Sequence, residues 1–268
     1  VDETSHRKGH TYITVVVDHE RHRVIWAHDG VGGDVFDLFF RQLTDEQKAS
    51  IKVVTGDGAR WIDSCVREHC SNAERVLDGF HIVSWMTDAL DKVRKRLWNQ
   101  ARRDGDEKTT KRMRGVKYAV LKNPGDLTDR QSEAFGNLRN TGPKGQLYRS
   151  WQLKELLRTL LKHPLEQARG ELRHWVFRAS HSRIPEIVEP AKKIRRRRPD
   201  ILRTIQLGYS NARLEAFNNR IKATIRMAYG FHHANSLIAL VMLRCAGNHG
   251  ASDNRDTPLL TYRRSMVL

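Results

Sequence analysis

The chain has 268 residues, 39% of them apolar, which is enough to bury a core and too apolar for a chain unfolded throughout. Lys and Arg total 48 against 31 Asp and Glu, a formal charge of +17, so the partner expected on electrostatic grounds is a polyanion, nucleic acid first. Three cysteines without a C-x-x-C pair exclude a disulfide framework and a zinc knuckle.

The longest apolar run, Leu237 to Leu243, is too short to span a bilayer, and no signal peptide opens the chain, so a cytoplasmic, nucleoid-associated protein is expected. A start at Val1-Asp2-Glu3, with no Met and directly before patterned sequence, is what a piece of a longer chain would show.

Tyr12 to Asp18 and Arg23 to Ala27 are β-branched runs separated by a polar turn, a hairpin. If Val1-Asp2 ends a preceding strand, the first thirty residues form a three-stranded antiparallel meander. Asp34 is the expected N-cap of a helix burying Phe36, Phe39, Phe40 and Leu43. Lys52 to Thr55 reads as a strand ending at Gly56-Asp57-Gly58, followed by a helix through Trp61, Cys65 and Val66 and a short strand at Arg75 to Leu77.

A helix-rich stretch begins near Val83, with Trp85, Leu90, Val93 and Leu97. Strand character then disappears to about Asp200, and Leu147, Trp151, Leu156, Leu157, Leu160 and Leu161 line up as an amphipathic helix. Asn140 to Gly145 reads as a turn and Arg195 to Pro199 as a basic loop. Ser210 or Asn211 can cap a helix running to Tyr229 with Leu214, Phe217, Ile221 and Ile225 buried; Gly230 stops it, and a greasy helix follows from Ser236 to Cys245. The expected organisation is a core, first part, at 1–83, a helical insertion at 84–209, the last core helices at 210–246 and a tail at 247–268. Antiparallel strands followed by strand–helix–strand units describe an α/β mixed sheet, the order of the ribonuclease-H-like fold, with a large helical insertion before the last helices.

Four acids stand out. Asp57 ends a strand between two glycines that would let a phosphate backbone approach, though Gly-Asp-Gly is equally a plain turn. Asp2 is out of place in a strand unless it faces solvent or a cation; Glu3 beside it alternates with it, so only one of the two can face a site, the other being a capping or solvated residue. Glu215, Asn219, Lys222 and Arg226 form a polar helical stripe in which the cations could hold phosphates; from spacing alone an ordinary solvated helix face is the favoured reading. Asp78 and His81 lie three residues apart after the short strand. Trp85, Trp98, Trp151 and Trp175 of the insertion read as core, with stacking on an unpaired base the sharper alternative.

Taken together, Val1-Asp2-Glu3 before Lys8-Gly9-His10, Gly56-Asp57-Gly58, Asp78-Gly79-Phe80-His81, and Ser210 to Lys222 with Tyr229-Gly230-Phe231 behind resemble the DDE transposases of the ISL-three insertion-sequence family. The resemblance implies that Asp2, Asp57 and Glu215 are the catalytic, metal-holding triad, with Asp78 and His81 supporting it as a D-x-x-H element. It also implies two magnesium ions (manganese as substitute), and DNA cleavage at transposon ends followed by strand transfer into target DNA. Double-stranded DNA is the expected partner, contacted through Asn219, Arg220, Lys222 and Arg226, and a homodimer is expected because two ends must be joined. The amino-terminal end-recognition region of the family has no counterpart in these residues. A structure-selective nuclease of the same fold and an inactive DNA-binding remnant are the rival readings.

Overall fold

The computed structural model describes residues 1–7, 11–136, 138, 145–208, 212–227, 231, 233–245 and 266–267; for 7, 212–215, 218, 266 and 267 it describes the backbone alone. Two compact units emerge: Val1–Asp78 with Tyr209–Leu268, and Gly79–Gly208.

In the first unit, β1 (Asp2–Arg7), β2 (Thr11–Asp18) and β3 (Arg23–Asp29) form the expected antiparallel meander, with Asp2 opposite Val15 and Glu3 opposite Thr14. Residues directly opposite each other share a face. One face of β2 presents Ile13, Val15 and Val17; the alternate position Val16 looks the other way. The first face is covered by α12 (Ala212–Met227) and α13 (Ala234–Cys245), through Phe217, Ile221, Leu237, Val241 and Cys245. The second packs with Val1, Trp26 and the phenylalanines of α1 (Gly33–Arg41), whose period-3.6 spacing produces a stacked aromatic cluster.

The cap of α1 is Gly32, at φ 104°, and Asp34 sits inside the first turn, where its charge meets the helix dipole without capping a backbone N–H. A short helix not expected from the sequence, α2 (Asp45–Ser50), is opened by a capping box between Thr44 and Gln47. It delivers the chain to β4 (Ile51–Gly56), which pairs in parallel with β5 (Glu74–Leu77) across α3 (Arg60–His69) and with the two-residue β6 (Met266–Val267). The unit is therefore mixed α/β: an antiparallel three-stranded sheet and a parallel one.

The second unit is helical. Its centre is α4 (Gly79–Arg103), which starts four residues before Val83 because Phe80 and His81 already belong to its first turn; Ile82, Met86, Leu90, Val93 and Leu97 form its buried stripe. Around it lie α5 (Glu107–Gly115), α6 (Lys117–Leu121), α7 (Asp129–Gly136), α8 (Gln146–Leu160), α9 (Leu165–Ser180), α10 (Pro185–Arg196) and α11 (Arg198–Leu207). In α8, Leu147, Leu153, Leu157 and Leu160 are buried, whereas Leu156 is 42% exposed and lines a groove between α8 and α9. Trp175 is buried, its indole N–H donating to Leu153 O at 2.7 Å, so it is a packing residue. The residues expected as a basic loop are helical: Arg195 and Arg196 close α10, and Arg198 opens α11. The turn expected at 140–145 falls outside the described residues except for Gly145, the left-handed residue before α8. Among the described residues no helix is long and apolar enough to cross a membrane.

Candidate active site

The two sheets of the first unit meet where β1 begins and β4 ends. The backbone nitrogen of Val1 donates to Thr55 O at 2.7 Å, and the buried ring of His19, in the β2–β3 turn, hydrogen-bonds the Thr55 hydroxyl at 3.0 Å. Gly56 makes this approach possible. A Cβ there would stand 3.1 Å from Val1 Cγ1, Val1 O and Ile62 Cδ1, so the requirement for glycine is close packing of backbone on backbone.

Acids gather at this junction. Asp57 follows Gly56 directly, and its Oδ1 accepts from Ala59 N at 2.8 Å, an Asx turn that fixes the carboxylate at the strand end. Asp78 follows β5, is 5% exposed, and donates its backbone N–H to Gly56 O at 2.9 Å, bringing the ends of both parallel strands together. Asp2 accepts from Glu3 N at 2.8 Å. Electrostatics report their proximity. The charges of Asp2, Asp57, Asp78 and Arg75 all act on the buried nitrogen of Val1. The Glu3 carboxyl is raised by burial and by the charges of Asp57 and Asp2.

The counter-charge inside this cluster is Arg75, which reading of the sequence did not single out. Standing on β5 opposite Val54, it extends its guanidinium over the end of β4 and donates to the carbonyls of Asp57, Gly56 and Val54. Its Nε is paired with Asp63 Oδ1 of α3 at 3.2 Å, and its side chain is only 12% exposed. The available signal was a charged residue in the middle of a short strand whose later positions are buried, Val76 and Leu77.

The remaining expected site residues lie on α12 and α4. Glu215 is in the first turns of α12, and its side chain lies outside the described residues; the helix itself runs against β1. Since Asp2 is opposite Val15, it occupies the face of the sheet that α12 covers. Asn219, Arg220, Lys222 and Arg226 are exposed on that helix. His81 is half-buried in the first turn of α4, in the second unit. The donors at the junction are carboxylate oxygens, the type that suits a hard divalent cation. Among the described residues no three His, Cys, Asp or Glu side chains already form a cation-binding group.

Comparison with known proteins places the chain. Residues 1–241 match the family model DDE_Tnp_ISL3, described as a transposase. The transposase for insertion sequence element IS1557 of Mycobacterium tuberculosis, in strains CDC 1551 and H37Rv alike, is 38% identical over 268 residues, covering 92% of this chain and 60% of the relative. The transposase for insertion sequence element IS1001 of Bordetella parapertussis is 27% identical over 250 residues, covering 92% of this chain and 61% of the relative. No solved structure matches. The chain thus spans about 60% of the length of these relatives, and it belongs to the ISL-three family of DDE transposases.

Proposed function

We propose that this chain is the catalytic part of a transposase that cleaves phosphodiester bonds at the ends of its element and joins the freed 3′ hydroxyl to target DNA. The observation that carries this reading is the gathering of Asp2, Asp57 and Asp78 at the junction of β1, β4 and β5, with α12 laid against β1 on the face that Asp2 occupies. The contact between the start of β1 and the end of β4, where the sheets β1-β2-β3 and β5-β4-β6 meet, supports the ribonuclease-H-like arrangement.

In this reading Asp2, Asp57 and Glu215 hold a pair of magnesium ions, for which manganese substitutes; when bound, they stabilise the attacking and leaving oxygens of the displacement. Asp57, set by its Asx turn and by Arg75, offers a carboxylate whose place does not depend on substrate. Asp2 belongs to β1 and Glu215 to α12. Asp78 supports the strand ends from behind, and His81 follows at the start of α4. The exposed Asn219, Arg220, Lys222 and Arg226 hold DNA phosphates beside the scissile bond. A homodimer pairs the two ends, and the work is done in the cytoplasm at the nucleoid.

The test is incubation of the full-length protein with labelled element ends, plasmid target and manganese, beside Asp57→Ala. Cleaved and joined products from the parent and none from the variant are expected. Cleavage without joining would assign a nuclease instead, and equal products from the variant would remove Asp57 from the chemistry.

A further inference from the structure

The charge of the chain is not shared between its two units. The helical unit, Gly79–Gly208, holds 30 Lys and Arg against 14 Asp and Glu, whereas the rest of the chain holds 18 against 17. Nearly the whole +17 therefore belongs to the helices, and the unit bearing the candidate active site is close to neutral.

Several acids of the helical unit are already matched: Asp91 pairs with Arg94 and Lys95, Glu155 with Lys154 and Arg158, Glu186 with Arg96, Glu189 with Lys192, and Asp200 with Arg197. The cationic surplus is densest where α10 meets α11. Ile187, Pro190, Ala191 and Ile194 turn one face of α10 inward, which leaves Arg195 and Arg196 exposed on the outward side beside Lys192, which Glu189 pairs. Lys193 lies 3.7 Å from the ring centroid of Trp85, and Arg197 is held at 3.0 Å by Asp200, so the neighbouring cations are fixed in place. Arg197 and Arg198 also flank the start of α11, where the helix dipole repels positive charge. Arg195 and Arg196, in the last turn of α10, lie where its dipole favours cations, so the fold tolerates a positive surplus there that a polyanion can use.

From this charge partition we infer that the principal DNA-backbone surface of the chain is the α10–α11 corner of the helical unit, centred on Arg195 and Arg196, rather than the unit that carries the acids. The inference rests on the transposase reading for its choice of duplex DNA as the polyanion. Chemistry and affinity are then separated: carboxylates that must hold cations sit in a near-neutral unit, and phosphate attraction comes from the other. Phosphates meet Arg195 and Arg196 as exposed fork donors without reading sequence, as backbone contacts do.

The test uses the full-length protein and a labelled duplex, with binding followed by fluorescence anisotropy across a salt series for the parent, Arg195→Ala/Arg196→Ala, and a control pair of exposed cations in the other unit, Lys52→Ala/Arg67→Ala. Loss of two phosphate contacts lowers the slope of log affinity against log salt by about 2 and weakens binding at least tenfold at low salt; the control leaves both unchanged. An unchanged slope in the arginine variant, an equal loss in the control, or stronger competition by structured RNA than by duplex DNA overturns the inference. Asp57→Ala in the same assay separates the two readings: it is expected to bind as the parent does while failing to cleave, and if it cleaves normally the transposase chemistry fails whatever the binding data show.

Discussion

The guanidinium of Arg75 donates to the backbone carbonyl of Asp57 while Asp63 holds its Nε from α3 at 3.2 Å. A planar fork on the carbonyls of Asp57 and Val76, with those of Gly56 and Val54 at 3.4 and 3.5 Å and one carboxylate on Nε, ties the ends of β4 and β5 together where Asp57 projects, and it places a positive charge among acids that would otherwise repel one another. Arg75→Lys keeps the charge and loses the fork. Its end cleavage is expected to fall at least about tenfold, equivalent to about 1.4 kcal/mol of barrier, with DNA affinity unchanged; Asp63→Asn shifts the rate in the same direction by less. Parental cleavage by Arg75→Lys would show that the fork does not set Asp57.

Gly56 is tested through its missing side chain. Alanine there meets Val1 and Ile62 at 3.1 Å, and relief requires the start of β1 to move off β4. Gly56→Ala is expected to cost about 1–3 kcal/mol, the range for overpacking a tight core, seen as a fall of several degrees in Tm, and to reduce cleavage beyond what the stability loss explains. A variant with parental Tm and rate would mean that the junction tolerates separation.

In the helical unit Glu186 joins α10 to α4 through both of its oxygens, 2.6 Å to Arg96 Nε and 3.2 Å to Arg96 Nη2. Burial pushes this carboxyl up, and the hydrogen bonds and charge of Arg96 outweigh it, so the pKa lies below the ordinary 4.5. A depressed carboxyl stabilises the fold above 4.5, and that contribution disappears as pH falls through the folded-state value. Glu186→Gln should therefore be less stable at pH 7, by about 0.5–1 kcal/mol given the partial exposure of Arg96, and its denaturation curve should meet that of the parent in acid. Curves that stay parallel down to pH 2 would contradict the linkage.

The cysteines should be silent in the native protein. Burial, reinforced by Asp37, pushes the Cys65 thiol up to about 12, and burial takes Cys70 to about 11; Cys245 is raised by burial as well. Thiolates are the reactive form. A colorimetric thiol reagent at pH 8 should label none rapidly before unfolding and all three in denaturant; rapid labelling of the native chain would refute the burial described.

Much of this architecture was legible because the hydrophobic period is strong. The β-branched run from Tyr12 to Asp18 gave β2, and the spacing of Phe36, Phe39 and Phe40 gave α1. Ends were harder, since a glycine at φ 104° caps α1 where Asp34 looked better suited, and the Thr44–Gln47 box of α2 lay between two stronger signals. Arg195 to Arg198 looked like a loop because charge conceals helical period; the buried Ile187, Pro190, Ala191 and Ile194 reveal it. The strand ends placed Asp57 and Asp78, each open to a plain structural reading, whereas Arg75 was not singled out, because its partners are backbone carbonyls that composition cannot display.

The most direct measurement is anomalous diffraction from crystals of the protein grown with manganese. Metal peaks within about 2.6 Å, the outer range for oxygen ligands of divalent cations, of carboxylate oxygens from Asp2, Asp57 and Glu215 together are expected. Peaks elsewhere, or a Glu215 carboxylate turned away from a metal held by the two aspartates, would contradict the triad.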